Sequence, residues 1–240
     1  MKTKVFGHRG AKAYYPENSL LSFEKAIDMG VDGIELDVHF SKDGKIVVFH
    51  DFELDRMTAE TGAIFQKTWD ELSEISLIHP AYNEKIPTLE MVLALIVKKQ
   101  EETQRPIYLN VEFKAGSSLY KGIEKATVDL CLSYLPKEQF VFSSFDHFAL
   151  VAVKQLDADL KTGVLTTAAM VEPWEYVQKL KADFYHPYYL TLTPEVLASY
   201  YSTGLEISTY TVNDLEVAKQ LKAAGIYSII TDIPDQVIKA

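Results

Sequence analysis

The stretch GIELDVHFSKDGKIVVFHD, residues 33–51, contains the strongest indication of the fold. Alternating apolar residues predict a strand over Gly33–Phe40, and a second apolar run predicts one over Ile46–His50. Only SKDGK separates them, which indicates an antiparallel hairpin, because a parallel crossover needs a dozen or more residues. The same stretch carries Glu35 and Asp37 inside an apolar run, where a carboxylate without a partner is costly.

Short apolar runs alternate with helical patterns along the rest of the chain. The other predicted strands are Lys4–His8, Ile107–Phe113, Phe140–Ser144, Lys161–Leu165, Phe184–Pro187, Glu206–Thr211 and Tyr227–Thr231. This alternation implies a parallel sheet, and without the hairpin return eight strands remain. We therefore predict a single-domain (β/α)8 TIM-type barrel over residues 1–240, with a β-hairpin extension after strand 2. A doubly wound open sheet is the alternative, although no glycine-rich nucleotide loop is present.

Helix start signals lie between the predicted strands. The runs Thr68–Glu71 and Asn213–Glu216 resemble capping boxes. Asp146 and Thr193 are candidate N-caps. Apolar residues at helical spacing over Leu89–Val97 predict a helix.

Composition limits the partners that this protein is expected to have. The 240 residues carry a net charge of −10, which disfavours nucleic acid and anionic membranes as partners. The single cysteine, Cys131, allows no intrachain disulfide and is predicted to be a core residue. The N-terminal MKTKVFGHRG lacks the apolar stretch of a signal peptide, and no window approaches the ~20 apolar residues of a membrane span. We expect a cytoplasmic protein without stable membrane association, and the oligomeric state stays open.

Carboxylates recur on one face of two predicted strands. Glu35 and Asp37 share a face, and NVEFK places Asn110, Glu112 and Lys114 on one face of another strand. In a barrel these faces converge inside, near the carboxyl ends of the strands. Because neighbouring carboxylates repel and a hard divalent cation relieves the repulsion, Glu35, Asp37 and Glu112 are predicted to bind one Mg²⁺ or Ca²⁺. The alternative is that one or two of them face outward into salt bridges.

Histidines and cations adjoin the same strand ends. His8 lies in GHRG at the end of the first strand, and the hairpin register places His50 roughly opposite Glu35. Imidazoles suit proton transfer in both directions near neutrality. Arg9 and Lys114 supply the positive charge that an anionic ester would need in an acidic protein. The combination suggests phosphoryl chemistry.

The segment HRGAKAYYPENSLLSFEKAIDMGVDGIELDVHFSKDGKIVVFHD, residues 8–51, closely resembles the glycerophosphodiester phosphodiesterase family. IPTLEMVL, NVEFK, FSSFD, TYTVND and GIYSIITDIPD extend the resemblance, in that order, over nearly the whole chain. It implies a TIM-type barrel, a divalent metal, and hydrolysis of glycerophosphodiesters to glycerol 3-phosphate and an alcohol. The family's catalytic histidines fall on His8 and His50, its metal ligands on Glu35, Asp37 and Glu112, and its phosphate-binding groups on Arg9 and Lys114.

Two positions depart from the family pattern. Tyr210 stands where the family commonly has Trp before TVN, and we expect its ring to line the substrate pocket. PENS replaces the frequent PENT, and Ser19 keeps a hydroxyl that can cap the first helix. Glu17 and Asn18 either brace the loop after His8 or serve only as turn and cap.

The remaining histidines are assigned no catalytic role. His39 is interpreted as out of phase with the metal carboxylates, and His79 and His147 lie in loop or helix-start contexts. His186 ends a strand and is predicted to be a core histidine. Residues 52–87 are predicted to be a small insertion near the active-site mouth, where they would select the head group.

Several functional alternatives stay open from sequence alone. The preferred assignment makes His50 the base and His8 the acid, with either water or the substrate's 2-hydroxyl as nucleophile. A lyase that releases a cyclic phosphate, or a binding protein without catalysis, would use the same fold. Retention of both histidines, all three acids and Lys114 argues against the binding protein, since a pure binder has no evident need for a proton-transfer pair.

Overall fold

The structure is a computed structural model that describes residues 2–240. Within that range the strands are β1 (Lys4–His8), β2 (Gly33–Phe40), β3 (Ile46–Val48), β4 (Tyr108–Phe113), β5 (Phe140–Ser144), β6 (Thr162–Thr166), β7 (Phe184–Pro187), β8 (Glu206–Thr209) and β9 (Ser228–Thr231). All except β3 run parallel, and they close into a barrel because β1 pairs with both β2 and β9. The predicted single-domain TIM-type barrel is confirmed, and the open-sheet alternative is wrong.

The hairpin extension is formed by β2 and β3, which pair antiparallel with His39 opposite Val47. Gly44 completes the turn at a φ of +81°, a backbone conformation that favours glycine. The strand β3 ends at Val48, two residues before the predicted end at His50. The Phe49 amide still donates to the Asp37 carbonyl at 3.1 Å, after which the chain leaves the sheet.

The bounds of β1, β2, β5 and β7 are as predicted, and those of β4, β6, β8 and β9 differ by one or two residues. The strands β4, β6 and β9 each begin one residue later than predicted. The strand β8 ends at Thr209 rather than Thr211, and the next residue, Tyr210, forms an isolated bridge with Tyr188. Terminal residues contribute few ladder hydrogen bonds, so the apolar pattern alone does not locate strand ends.

Helices surround the barrel. They are α1 (Leu20–Asp28), α2 (Trp69–Ser73), α3 (Leu89–Thr103), α4 (Ile123–Tyr134), α5 (His147–Leu156), α6 (Pro173–Lys179), α7 (Pro194–Thr203), α8 (Leu215–Ala223) and α9 (Pro234–Lys239). Short 3₁₀ helices cover Ile64–Gln66, Lys137–Gln139 and Tyr189–Thr191. In residues 2–240, no helix combines the length and apolar character needed to cross a membrane.

Most of the predicted helix starts are confirmed. Thr68 forms a complete capping box ahead of α2, and Asp146 and Thr193 cap α5 and α7. The capping box predicted from Asn213 is wrong. Asp214 caps α8 instead, by accepting from two backbone amides, and leaves the Asn213 side chain for another role.

The main core lies between the barrel and its helices. Ile34, Leu36 and Val38 on the outer face of β2 belong to one buried cluster with Phe23 of α1 and Ile96 of α3. Cys131 is buried in the same cluster, as predicted. The alternate residues of β2 are therefore the ones that face the barrel interior.

Residues 52–87 carry a small core of their own. Leu54, Ile64, Leu72 and Ile86 are fully or almost fully buried there, together with Val47 of the hairpin. The segment is therefore a packed extension built on β3 rather than an extended loop.

Candidate active site

Three carboxylates meet inside the barrel near the carboxyl ends of β2 and β4. Asp37 and Glu112 are register partners on these neighbouring strands, and Glu35 lies two residues before Asp37 on the same face. One carboxylate oxygen from each lies within 4.8 Å of the other two, and all three residues are buried. They face inward together, so the salt-bridged outward alternative is wrong. The cluster could hold a metal ion.

Two cations adjoin the carboxylates. Lys114 donates from Nζ to Glu112 Oε1 at 2.7 Å and lies 3.5 Å from Asp37 Oδ1. Arg9 Nε lies 3.4 Å from Asp37 Oδ2, and the Arg9 backbone amide donates to Glu35 Oε2 at 2.9 Å. Positive charge is therefore concentrated beside the cluster, although the protein as a whole is acidic.

The carboxyl groups have diverging proton affinities. Burial, reinforced by the charges of neighbouring carboxylates, raises the pKa of Glu35 and of Glu112. Burial also acts on Asp37, but Lys114 and Arg9 overcome it and lower the pKa of that carboxyl below its usual range.

Asp37 Oδ1 is buried and has no hydrogen-bond donor among the described residues. An all-oxygen, carboxylate-rich set with an orphaned oxygen suits a hard divalent cation. The residues present therefore fit the metal that the resemblance implies.

His8 ends β1 and is held by a neighbouring strand end. Its Nδ1 lies 2.6 Å from Asp232 Oδ1, immediately after β9, and its Nε2 lies 4.0 Å from Glu35 Oε2. Asn213 donates to Asp232 Oδ2 at 2.8 Å, which explains why it does not cap α8. Burial lowers the pKa of His8, whereas its hydrogen bond to Asp232 opposes that shift.

His50 occupies the other side of the cluster. Its Nδ1 is hydrogen bonded to Asp51, whose Oδ2 accepts from Arg56 Nε at 2.6 Å. Burial lowers the pKa of His50, and the charge of Asp37 opposes the shift. The β2–β3 register, continued past Val48, places His50 beside Leu36 rather than Glu35, so the predicted pairing is one residue off.

A series of ion pairs with alternating charge connects Arg9 to His50. Glu17 Oε1 accepts from Arg9 Nη1 at 2.8 Å and from Arg56 Nη2 at 2.6 Å. Asn18 donates to Asp37 Oδ2 at 2.9 Å. The bracing role considered for Glu17 and Asn18 is thus observed, in direct contact with site residues. The series of ion pairs begins at Arg9 and continues through Glu17, Arg56 and Asp51 to His50.

An open cavity of about 490 Å³ adjoins the cluster. His50 and Lys114 line it on the side of the site, and residues of the segment 52–87 complete its wall: Phe52, Glu53, Asp55 and Arg56. A phosphodiester with a small head group could enter here, beside the histidine and the lysine.

Comparisons with known proteins agree with this geometry. The chain matches the glycerophosphoryl diester phosphodiesterase family over residues 8–236. It is 36% identical to a glycerophosphodiester phosphodiesterase of Caldanaerobacter subterraneus, over 99% of this chain and 97% of the relative. The chain belongs to the glycerophosphodiester phosphodiesterase family.

Solved structures of the family are similar throughout. A phosphodiesterase of Oleispira antarctica, in complex with the product sn-glycerol-3-phosphate, superposes with a TM-score of 0.89 at 27% identity, covering 99% of this chain and 96% of that one. The Thermotoga maritima glycerophosphodiester phosphodiesterase gives 0.80 at 30% identity, covering 100% and 98%. The chain is a phosphoric diester hydrolase of this family, with the family's TIM barrel.

Tyr210 of this phosphodiesterase is half-buried beside the site. Its hydroxyl donates to the Thr166 carbonyl at 2.8 Å, and Phe145 packs edge-on against its ring at 6.1 Å. The hydroxyl is therefore engaged within the protein, and its ring is the part left to contact a substrate.

The histidines without an assigned role have distinct environments. His186 is fully buried as predicted, but neither ring nitrogen has a hydrogen-bond partner within residues 2–240, and burial lowers its pKa to about 3. His147 bonds the Tyr176 hydroxyl and the Leu165 carbonyl, each at 2.9 Å.

The prediction that His39 is out of phase is wrong. His39 follows Asp37 by two residues, shares its face, and is fully buried beneath the loop that carries His50.

Sequence reasoning missed Asp232, Asn213, Arg56 and Asp51 as parts of the site. Asp232 and Asn213 lie in the GIYSIITDIPD and TYTVND motifs, the first directly after β9 and the second in the loop after β8, which is the signal that would have found them. Arg56 lies in the 52–87 segment, outside every motif that carried the resemblance.

Proposed function

We propose that this enzyme hydrolyses glycerophosphodiesters to glycerol 3-phosphate and an alcohol in a metal-dependent reaction. His8 and His50 serve as the acid–base pair. The observation that carries the proposal is the arrangement around the buried carboxylates, where each of two histidines has Nδ1 bound to an aspartate and two cations contact Asp37. The product found with the Oleispira antarctica phosphodiesterase supports the same chemistry.

Glu35, Asp37 and Glu112 hold one divalent cation, Mg²⁺ or Ca²⁺. When bound, such an ion supplies positive charge that polarises the phosphoryl oxygens and stabilises charge in the transition state. It would also relieve the repulsion that raises the pKa of Glu35 and of Glu112.

Lys114 and Arg9 bind the substrate phosphate. Both already face the cluster and contact Asp37, one of the carboxylates that a divalent cation would neutralise. Tyr210 lines the substrate pocket through its ring. The insertion 52–87 selects the head group, because several of its residues line the cavity next to His50.

The histidines transfer protons through Nε2. An aspartate that accepts from Nδ1–H leaves Nε2 free to take a proton, and the charged imidazole that forms is stabilised by the same aspartate. We assign His50 as the base that activates the nucleophile and His8 as the acid that protonates the leaving alkoxide.

Phosphorus NMR with glycerophosphocholine tests the reaction. We expect glycerol 3-phosphate as the final product with Mg²⁺ or Ca²⁺, and loss of turnover after EDTA treatment that is restored by adding the metal back. A cyclic phosphate as final product would assign the enzyme as a lyase. Full activity in EDTA would overturn the metal dependence.

A further inference from the structure

His39 occupies a position that the proposed reaction does not use. It lies on β2 two residues beyond Asp37, and both it and its neighbour Tyr120 are buried. Its Nδ1 lies 2.7 Å from the Tyr120 hydroxyl, and its Nε2 lies 3.3 Å from the backbone carbonyl oxygen of His50.

The two hydrogen-bond partners of His39 determine the tautomer of its ring. A carbonyl oxygen can only accept, so the proton must be on Nε2, which donates to His50. In the neutral ring Nδ1 then accepts, and the Tyr120 hydroxyl donates to it. No carboxylate is hydrogen bonded to this imidazole in residues 2–240. Tyr120 therefore selects the tautomer that can hold the His50 backbone.

The position of His50 depends on few backbone contacts. The strand β3 has ended at Val48, and the Phe49 amide makes the last bond to the β2 backbone. The next contact that holds this loop is the hydrogen bond from His39 Nε2 to the His50 carbonyl. The His39 ring is itself held on two sides, because Phe52 and Tyr120 pack edge-on against it with ring centroids 5.3 and 5.6 Å away.

Tyr120 comes from a different part of the barrel. It follows β4 and the site residue Lys114 in the chain, and its amide donates to Gly116 at 3.0 Å. This loop is anchored by side chains that follow it, because the Gly116 amide donates to Asp146 Oδ2 at 3.0 Å and the Ser117 amide donates to Glu124 Oε1 at 2.8 Å. Through His39, the hydroxyl of Tyr120 thus ties the His50 loop to this anchored segment beside Lys114.

We propose that His39, oriented by Tyr120, is a positioning residue that holds the His50 imidazole in its reactive place. The proposal rests on the function assigned to His50 above. It gives a role to the buried pair His39 and Tyr120. This pair makes no hydrogen bond to the carboxylate cluster within residues 2–240 and does not line the cavity.

Three substitutions test the pair. We expect His39→Leu to lower kcat by about 10- to 100-fold with KM changed by less than about threefold, because misplacing a catalytic group affects the chemical step. His39→Gln should recover most of the rate, since its amide nitrogen can replace Nε2 as donor to the carbonyl. Tyr120→Phe removes one hydroxyl and keeps the ring packing. Its kcat should lie between those of His39→Leu and His39→Gln.

A matched control exists elsewhere in the barrel. His147 also bonds a tyrosine hydroxyl and a backbone carbonyl, those of Tyr176 and Leu165, but it does not contact His50. His147→Leu removes the same kinds of bond and should leave kcat within about twofold of the parent value. Thermal unfolding of each variant reports whether it folds; if His39→Leu does not, Tyr120→Phe carries the test.

The variant His50→Ala separates the two proposals. In that background His39→Leu should cause no further loss of kcat, because residues that act as a unit are not additive. An equal loss in both backgrounds, or an unchanged kcat for His39→Leu and Tyr120→Phe while His50→Ala is impaired, overturns the positioning role. Full activity of His50→Ala overturns instead the proposed function of His50, and the inference with it.

Discussion

His8 and His50 are equivalent in type but are held by different parts of the molecule. His8 ends a barrel strand, and its partner Asp232 follows the adjacent strand β9. His50 lies beyond the end of β3, and its partner Asp51 is bound by Arg56 from the insertion. The side chain of His8 is 12% exposed and that of His50 is 29% exposed.

This difference indicates that the barrel itself fixes one half of the site and that the loops fix the other. Changes in residues 52–87 should therefore affect His50 far more than His8. The barrel half should also tolerate less, because Asp232 directly follows β9 of the closed sheet and accepts from Asn213 in the loop after β8.

The largest effects should separate the histidines from the carboxylates. His8→Ala and His50→Ala should each lower the rate by about 10²- to 10⁴-fold, typical of losing one acid–base group, and should retain metal binding. Glu35→Ala, Asp37→Ala and Glu112→Ala should lose metal affinity and activity together. Calorimetric metal titrations of the five variants measure this. Loss of metal by the histidine variants, with retention by the acid variants, would reverse the roles.

A substrate with a good leaving group should sharpen the comparison between the histidines. The p-nitrophenyl ester of glycerol phosphate needs little protonation of its leaving group, so it should recover much of the rate lost by His8→Ala. The same ester should leave His50→Ala impaired, because a base is still required. Steady-state kcat on both esters is the measurement, and recovery by His50→Ala alone would exchange the acid and the base.

The aspartate partners should show the same asymmetry at a smaller scale. Asp232→Asn should lower kcat by about 10²-fold, because an amide no longer selects the tautomer or stabilises the imidazolium. Asp51→Asn should cost about tenfold or less, since Asp51 is closer to solvent and the carbonyl of His50 has a second anchor in His39. Equal losses in kcat would remove the distinction between barrel and loops.

Arg56→Gln should have the smallest kinetic effect. Its side chain is 47% exposed, and ion pairs of exposed side chains contribute ~0–1 kcal/mol, so a loss of about threefold in kcat/KM is expected. The contribution of His8 should be unaffected. The p-nitrophenyl ester should therefore recover as much of the kcat lost by His8→Ala in the Arg56→Gln background as it does in the parent. A loss as large as that of Asp232→Asn would contradict the loop assignment.

His186, a buried histidine without a role in the proposed reaction, extends the comparison from the rate to the stability of the fold. Burial lowers the pKa of His186 to about 3, against 6.5 ordinarily, so the unfolded chain takes up the proton first as pH falls. The stability associated with neutral His186 is therefore complete above pH 6.5 and is lost toward the folded-state pKa, by about 1.4 kcal/mol per pH unit.

His186→Leu tests this linkage. We expect the difference in free energy of unfolding between the variant and the parent to shift in favour of the variant from pH 7 to pH 5, by about 2 kcal/mol. Chemical denaturation at the two pH values measures it, and the parent at each pH is the control. A difference independent of pH would mean that the fold leaves the pKa of His186 at its ordinary value.

The sequence was sufficient for the barrel and for its inward-facing acids because both follow from local spacing. The five-residue connection SKDGK excluded a crossover, and period-two alternation placed Glu35, Asp37 and Glu112 on interior faces. The partner of His8, and the Arg56–Glu17 contact that lies behind Asp51 and His50, could not be derived in this way. The contact between His8 and Asp232 spans 224 positions, and the one between Arg56 and Glu17 spans 39.

His39 shows a different limit. Its phase was available from the sequence and was misassigned, whereas its partner Tyr120, 81 positions away, was not available. Its hydrogen bond to the His50 carbonyl depends on where the hairpin stops pairing, which is a property of the ladder rather than of the apolar pattern.

The long separation of His8 from Asp232 has a consequence for synthesis. His8 leaves the ribosome 224 residues before Asp232, so this aspartate becomes available only when β9 has been made and has paired with β1. A nascent chain that already contains the carboxylates of β2 and β4 still lacks this partner. The enzyme therefore reaches its full activity late, at ring closure, and turnover serves as a reporter of the last step in assembling the barrel.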